Sequence, residues 1–510
     1  MRPSFDNAPQ LRALYLIAGV ISVVLSCWIT WHQVIVNPDA ICYLLSANEI
    51  GQSGLHSAMQ LCGQAAWPFY SALIFFFSKY SLLSVTASAY LLDACFTLMT
   101  VLTFIAIVQM LGGTRRVLWL AAFVILSAHQ FNSVRQYIVR DHGFWAFYLI
   151  SILFMLRFLR DTSIKSALGF SASLLVAALF RIEGAVFLAL LPFLVFFNQG
   201  DWRERSLAFL KLNILAGCAV GAVLLWVLLH PQAPQEKLGR APELLNQALH
   251  GFAYVAERFQ ASKTDMMQHI LPMEATRDAG MMWAIALVVL FFINIINNLS
   301  WVATALIIYA WLSGVAAKFS RAGKLVLWGY LLVNVIICAV FFAQRLFFSK
   351  RYLIAMSLVL LLWVPFALDK LLRERAGSRR RYAAYFAMAA LFVSSLGVVA
   401  DTGTSRNYLR EAGSWLSVNI PADARLYSND VQLAYYSQHY GREIYAAMRV
   451  NKDIDALLQN QLQHYDYVAL RSGNHKDARV AMRMNDMHAQ VVKDFANQFG
   501  NHVTIYKIPR

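Results

Sequence analysis

Residues 11–31 read LRALYLIAGVISVVLSCWITW, and Arg12 is the single charge in the run. At 1.5 Å per residue such a helix is ~30 Å long, the thickness of a bilayer's hydrocarbon core. The preceding residues, 1–10, are polar and carry Arg2, and no small-residue cleavage site follows. The run therefore reads as a retained membrane helix rather than a signal peptide.

Similar apolar runs recur at 84–111, 117–131, 143–158, 166–180, 184–197 and 207–229, then at 281–296, 299–317, 325–343, 352–368 and 382–400. A shorter run, 67–80, has Pro68 at its start and reads as an interfacial helix. The composition agrees: 59% of the chain is hydrophobic and 14% charged, against about 45–50% and about 25% for soluble domains. These values exclude an ordinary soluble enzyme, a disordered chain and a fibre. The expected fold is an α-helical polytopic membrane protein with about 11–13 transmembrane helices.

The net charge of +16 is an orientation signal. Residues 401–510 hold thirteen Lys and Arg against eleven Asp and Glu, so most of the excess lies in the first 400 residues. There it clusters in short loops: Arg115-Arg116, Arg157/Arg160/Lys165, Arg203/Arg205/Lys211, Lys318/Arg321/Lys324 and the stretch 370–381. By the positive-inside rule these face the cytoplasm and so does the N-terminus. Loop 32–66 has no Lys or Arg, only Asp39 and Glu49, and reads as external. Parity fails at one place, where either 281–296 is re-entrant or a neighbouring run is misplaced. The basic residues form no aromatic-interleaved face of the kind that binds nucleic acid. The partners expected are membrane lipids, with no nucleic acid.

The expected division is a membrane domain over 1–400, with long external loops at 32–66 and 230–280, and a soluble external domain over 401–510. Loops of that length in a compact protein are commonly functional. Within the second, 244–259 is amphipathic and is expected to lie along the membrane surface. In the tail, strand-like runs at 424–427, 443–445, 466–470 and 502–508 alternate with helical ones at 431–437, 454–463 and 478–499. That order predicts a small α/β domain. The six cysteines contain no CxxC pair, which argues against a zinc knuckle. Cys42 and Cys62 share an external loop, where either a disulfide or two free thiols is compatible with the sequence.

Ionisable groups at membrane depth are costly and are functional candidates by default. Four clusters fall on the external side: Asp39 with Tyr43; Arg135 with Arg140-Asp141-His142; Arg181-Ile182-Glu183; and Lys350-Arg351-Tyr352. A carboxylate serves as general base towards a hydroxyl. Arginine and lysine hold a phosphate, and a carboxylate beside a histidine suits a divalent metal ion. Each has a plainer reading: Asp39 as a helix cap, Asp141 and Arg181 as local ion pairs, Lys350 and Arg351 as snorkelling cations. Glu49, His56, His269 and Glu274 are weaker candidates.

In layout and in these residues the chain resembles the GT-C superfamily of membrane glycosyltransferases, especially the branch of aminoarabinose transferases and protein mannosyltransferases (glycosyltransferase family 39). The resemblance implies Asp39 as the base and Asp141 as a second catalytic acid. It implies Arg181, Lys350 and Arg351, with Arg135 and Arg140 beside them, as donor-phosphate ligands. Tyr43, Glu183 and Tyr352 join them as substrate contacts. The donor implied is a polyprenyl-phosphate-linked sugar, the acceptor a lipid, glycan or protein, and the location a bacterial inner membrane with the tail in the periplasm. A divalent metal on Asp141 and His142 is the one cofactor suggested, and His142 is a departure from the family pattern. The competing classes are a transporter or flippase of lipid-linked sugars, and a lipid-linked glycan polymerase or ligase. Transporters show internal repeats and mid-membrane helix breaks, whereas here the ionisable groups gather at one face.

Overall fold

A helical hairpin positions the site. In the computed structural model, which describes residues 8–229, 241–347, 349–400, 406–439, 462–473 and 478–509, Asp141–Asp161 and Ile164–Phe180 are helices joined by two residues. Thr162 takes a left-handed conformation (φ 46°), and Ser163 caps the second helix by accepting from the Ser166 N–H. The Asp161 carboxylate accepts from the Ser163 N–H at 3.0 Å. A helix that runs ~30 Å out and another that runs ~25 Å back return the chain to its start. Asp141 and Arg181, forty residues apart, thereby meet at one end.

The chain folds as two compact units. The first comprises Met1–Ser26, Asp93–Arg135 and Arg140–Val399, the second Cys27–Leu92, Gln136–Val139 and Ala400–Arg510. This division differs from a single boundary at residue 400, because the segment Cys27–Leu92, which contains the first long loop, groups with the tail.

Within the first unit, helices Asp141–Asp161 and Arg321–Arg345 are joined by buried polar contacts. Asn334 Nδ2 donates to the Tyr148 hydroxyl at 2.6 Å, and the Ser151 and Tyr330 hydroxyls lie 2.8 Å apart. Hydrogen bonds of this kind fasten helices where apolar packing alone gains little over lipid. Among the described residues, seven helices are long and apolar enough to cross a membrane. The pair Lys350–Leu361 and Val364–Leu372, bent by 41°, makes an eighth. The bend falls beside Pro365, which removes a helix hydrogen bond. Three further apolar helices, Ile164–Phe180, Glu183–Phe197 and Trp301–Leu312, are shorter than that, so seven or eight helices of spanning length stand against an expected total of about 11–13. The run 281–296 belongs to an unbroken helix, Ala279–Leu299, and is not re-entrant. The amphipathic stretch at 244–259 lies inside a longer helix, Ala241–His269.

In the second unit, Leu426–Ser428 (β1), Tyr467–Ser472 (β2), Gln490–Ala496 (β3) and His502–Lys507 (β4) form one sheet in the order β1-β2-β4-β3. β1 and β2 are parallel and the other pairs antiparallel. Helix Val431–Ser437 starts where expected, its cap Asp430 accepting from the Gln432 and Leu433 N–H groups. The helix expected over 478–499 is instead helix Ala478–Asp486 followed by β3. β3 is an edge strand, almost wholly exposed and broken by a register shift at Val491/Lys493, so it carries no alternation of apolar and polar residues. The strand expected at 443–445 and most of the helix at 454–463 lie outside the described residues.

The tail's core takes in Ile35 from the first loop, beside Leu409, Leu416, Leu433 and Ile505. The Val36 N–H donates to the Tyr436 hydroxyl at 2.9 Å, and Gln432 and Arg410 donate to the carbonyls of Val36 and Val34. Helix Pro38–Ser53 follows, and a disulfide joins its Cys42 to Cys62, with Cα atoms 6.1 Å apart.

Candidate active site

Two glycines let the acid and the base of this site approach each other. A Cβ on Gly143 would stand 2.4 Å from the Phe180 ring, and one on Gly184 would stand 2.4 Å from the Ala178 backbone nitrogen. The first turn of helix Asp141–Asp161 therefore packs directly on the end of helix Ile164–Phe180, and the next helix, Glu183–Leu190, starts against it. Between them Arg181 is extended (φ −143°, ψ 131°) and points its guanidinium back at Asp141.

The result is a buried cluster. Arg181 donates through Nη1 to Asp141 and through Nη2 to Glu183, while its Nε lies 3.3 Å from the second Glu183 oxygen. The Asp141 and Arg181 side chains are 4% and 10% exposed. The guanidinium also lies over the rings of Tyr352 (4.6 Å) and Phe144 (5.8 Å), the geometry of a cation–π contact. Burial works against its charge, but the Asp141 and Glu183 carboxylates outweigh burial and hold the Arg181 pKa well above its ordinary value. Arg181 is a fixed cation with three of its five N–H groups committed.

This cluster borders an open cavity whose lining includes Arg181, Glu183, Arg351, Tyr352, Phe144 and Asn334. Arg351 lies over Tyr352 at 5.6 Å. Arg351 and Arg140 both add positive potential at Asp141. Lys350 is exposed, and its carbonyl accepts from Asn298 Nδ2 at 2.5 Å. One cavity thus unites Arg181, Glu183, Arg351 and Tyr352, with Asp141 behind Arg181.

Other candidates lie elsewhere. Arg135, expected to bind phosphate, is buried and binds neutral groups: the Ser22 carbonyl (2.9 Å), Ser26 Oγ (2.8 Å) and Asn132 Oδ1 (2.8 Å). Burial among them pulls its pKa down to about 9. It fastens the first membrane helix and is not part of the cavity. His142 Nε2 faces the Val134 carbonyl at 3.2 Å, which requires a hydrogen on that nitrogen, and Nδ1 faces Thr97 Oγ1 at 3.3 Å. Asp141 is engaged by Arg181, and among the described residues no three His, Cys, Asp or Glu side chains gather as ligands. The residues present do not fit the divalent ion suggested for Asp141 with His142.

In the second unit, Asp39 lies in the first turn of helix Pro38–Ser53, half-buried, accepting from Gln64 Nε2 at 3.2 Å. It is not the helix cap. That position belongs to Asn37, whose side chain instead exchanges hydrogen bonds with the backbone of Ile138. Tyr43, expected to contact substrate, is 4% exposed and packs edge-on against Tyr70 at 5.1 Å. Glu49 accepts from Ser57 at 2.5 Å, and His56, His269 and Glu274 are exposed.

The sequence reading passed over Asn334, Cys338 and Phe144 on the cavity wall, and Asp93, buried in helix Val85–Met110. Asn334 and Asp93 did carry a signal, being lone polar positions within apolar runs.

No family profile matches the chain, and no curated protein sequence matches it. Solved structures do. ArnT from Cupriavidus metallidurans in the apo state superposes over 98% of both chains, with a TM-score of 0.54 and 13% identity. The same protein bound to undecaprenyl phosphate gives 0.52 and 14% over the same shares. The oligosaccharyltransferase AglB from Archaeoglobus fulgidus, in complex with an inhibitory peptide and a dolichol-phosphate, gives 0.50 and 13%, covering 92% of this chain and 70% of AglB. The chain has the fold of the GT-C glycosyltransferases, a polytopic membrane protein with a small α/β region at its C-terminal end.

Proposed function

We infer that the protein is a glycosyltransferase that moves a sugar from a polyprenyl-phosphate donor to an acceptor hydroxyl or phosphate at the periplasmic face of a bacterial inner membrane. The observation that carries this reading is the cavity walled by Arg181, Arg351 and Tyr352, in a fold whose ArnT representative is known bound to undecaprenyl phosphate. An anionic lipid headgroup at membrane depth is what such a wall suits.

The residues divide the work as follows. Asp39 takes the proton of the acceptor hydroxyl as its oxygen bonds to the anomeric carbon. The bond from that carbon to the donor's phosphate oxygen breaks, and its electron pair leaves with the lipid phosphate. One displacement inverts the anomeric centre. Arg351 and the two uncommitted N–H groups of Arg181 face the growing phosphate charge, with Lys350 as the neighbouring cation. Asp141 and Glu183 hold Arg181 in place and act through it. No step is assigned to a metal. The acceptor is a lipid, glycan or protein.

The test is release of polyprenyl phosphate from purified lipid-linked sugars, with wild type and Asp39→Asn side by side. Asp39→Asn is expected to fold, bind donor and transfer nothing. Full transfer by Asp39→Asn removes Asp39 from the mechanism. Movement of intact donor across vesicles with no phosphate released replaces the transferase with a flippase.

A further inference from the structure

A second, open cavity lies at the other end of the hairpin that carries the candidate active site, lined by Phe158, Leu159 and Thr162 from the hairpin and by Val195, Arg205 and Lys211 from the following segments. Phe158 is seventeen residues along its helix from Asp141, or ~26 Å. A hydrocarbon core is ~30 Å thick, so the two cavities sit at opposite membrane interfaces.

The surroundings of this cavity mark a headgroup level. Trp202 is 72% exposed and packs on Phe196 at 5.2 Å, and Phe197, Leu207 and Leu210, near it in the chain, are also exposed. A belt of indole and phenyl rings above aliphatic side chains is typical of a membrane–water interface. Helix Trp202–Leu229 begins here, after the 3-10 helix Leu191–Phe197 has left its last carbonyls without helical partners.

The lining carries two cations, Arg205 and Lys211, against one acid, Glu204, and the cations are incompletely used. Arg205 Nη1 donates to the Phe196 carbonyl at 3.0 Å, but its Nε is buried and has no hydrogen-bond partner. Lys211 donates one hydrogen bond, to the Thr162 carbonyl at 3.1 Å, and an ammonium has three to give. The nearest acid in the lining, Glu204, accepts from the Asp201 N–H at 3.3 Å in a reciprocal cap. Among the described residues, neither Arg205 nor Lys211 forms an ion pair. Arg321 Nη2 adds a further cation close by, on the Phe197 carbonyl at 3.0 Å. Leaving a buried N–H donor unsatisfied costs free energy, and an oxyanion that accepts from Arg205 Nε and Lys211 Nζ together recovers it.

We propose that this cavity binds the phosphodiester headgroup of an anionic phospholipid in the leaflet opposite the active site, with Arg205 and Lys211 as its ligands. The apolar wall of Phe158, Leu159 and Val195 takes the lipid's glycerol and first methylenes. Basic pockets between helices at an interface are a recurrent way of holding such lipids. The proposal rests on this cavity and on the membrane fold, and stands independently of the transfer reaction.

The test uses the full chain in detergent, with phosphatidylglycerol, phosphatidylcholine and inorganic phosphate as separate probes, read by native mass spectrometry and thermal melting. Wild type is expected to retain phosphatidylglycerol and melt higher with it than with phosphatidylcholine. Arg205→Gln with Lys211→Gln is expected to weaken that binding by about 30-fold, since each cation near a membrane surface contributes roughly a factor of five. Arg205→Lys, which keeps the charge, is expected to retain the preference. A photoreactive phosphatidylglycerol on the wild-type protein reports the site even if the double variant does not fold, and its crosslinks are expected at 195–211. Equal binding of the two lipids, crosslinks confined to other segments, or displacement of phosphatidylglycerol by millimolar inorganic phosphate overturns the proposal.

Discussion

The Asp141–Arg181–Glu183 cluster makes a quantitative prediction, because its members differ in what each leaves behind. Asp141→Ala removes a partner that is 4% exposed but leaves Arg181 paired with Glu183, whose side chain is 25% exposed. Breaking a buried pair from one side costs about 3–5 kcal/mol, and the surviving partner puts this case near 3 kcal/mol. Arg181→Met leaves two carboxylates facing one another with only the more distant Arg351 and Arg140 to offset them, so about 4 kcal/mol is expected. The double variant leaves Glu183 alone, which can turn towards water. It should cost about 5 kcal/mol rather than the additive 7, a coupling of about 2 kcal/mol. The assay is unfolding of the four proteins by SDS titration in mixed micelles, with the coupling taken as the difference from additivity. Additive effects within about 0.5 kcal/mol would show that the two side chains do not share one dry site, and the geometry argued for Arg181 would fall.

Reducing the Cys42–Cys62 disulfide, which spans 20 residues, should destabilise the second unit by about 3 kcal/mol through the freed loop; an unfolding curve unchanged by dithiothreitol contradicts this. Burial pushes the Tyr436 hydroxyl above its usual pKa of 10.0. Its stabilising contribution is therefore complete below about pH 10 and is lost as pH rises through the folded-state value, because the unfolded chain ionises first. Tyr436→Phe should flatten that alkaline decline in melting temperature, and a decline as steep as that of wild type refutes the assignment. Arg351→Gln should lower kcat by about 10²–10³ if its guanidinium meets charge that develops in the transition state; steady-state rates with saturating donor decide it, and a change confined to KM places Arg351 in ground-state binding alone.

Some of this architecture was plain in the sequence. Residues 11–31 announce a membrane span by length and apolarity, which depend on local chain composition alone. Helix Val431–Ser437 was equally legible, because a short helix that its own residues cap and favour leaves a local signature. β3 was not, since an exposed edge strand owes its form to β4 rather than to its own pattern. The same split runs through the site. Asp141, Arg181, Glu183 and Arg351 stood out as charges that a bilayer does not tolerate without reason. Arg135 stood out equally, yet its partners are Ser22, Ser26 and Asn132, neutral groups that no charge pattern reveals. His142 misled for the same reason: the carbonyl of Val134, eight residues upstream, decides which ring nitrogen carries a hydrogen. The link between Asp369 and Arg116 was also missed, because it joins segments 253 residues apart, whereas Arg373 reaches the same carboxylate from one helical turn away.

The charge inventory of the cavity bears on how such a site accelerates transfer. Arg140, Arg181 and Arg351 act on two carboxylates, Asp141 and Glu183, which leaves a surplus of one positive charge before Lys350 is considered. A sugar phosphodiester brings one negative charge, and the surplus matches it. As the anomeric bond breaks, the phosphate becomes a monoester and gains up to one more. A site neutralised for the donor therefore pulls harder on the departing phosphate than on the intact one, and only interactions that strengthen on the way to the transition state raise kcat. Had Asp141 and Glu183 been absent, three uncompensated arginines would hold donor and product alike, and tight product binding would slow turnover. In the proposed reaction the two carboxylates would thus do more than orient Arg181: they would trim the site's charge to a level at which the phosphate is bound most strongly while its charge is growing.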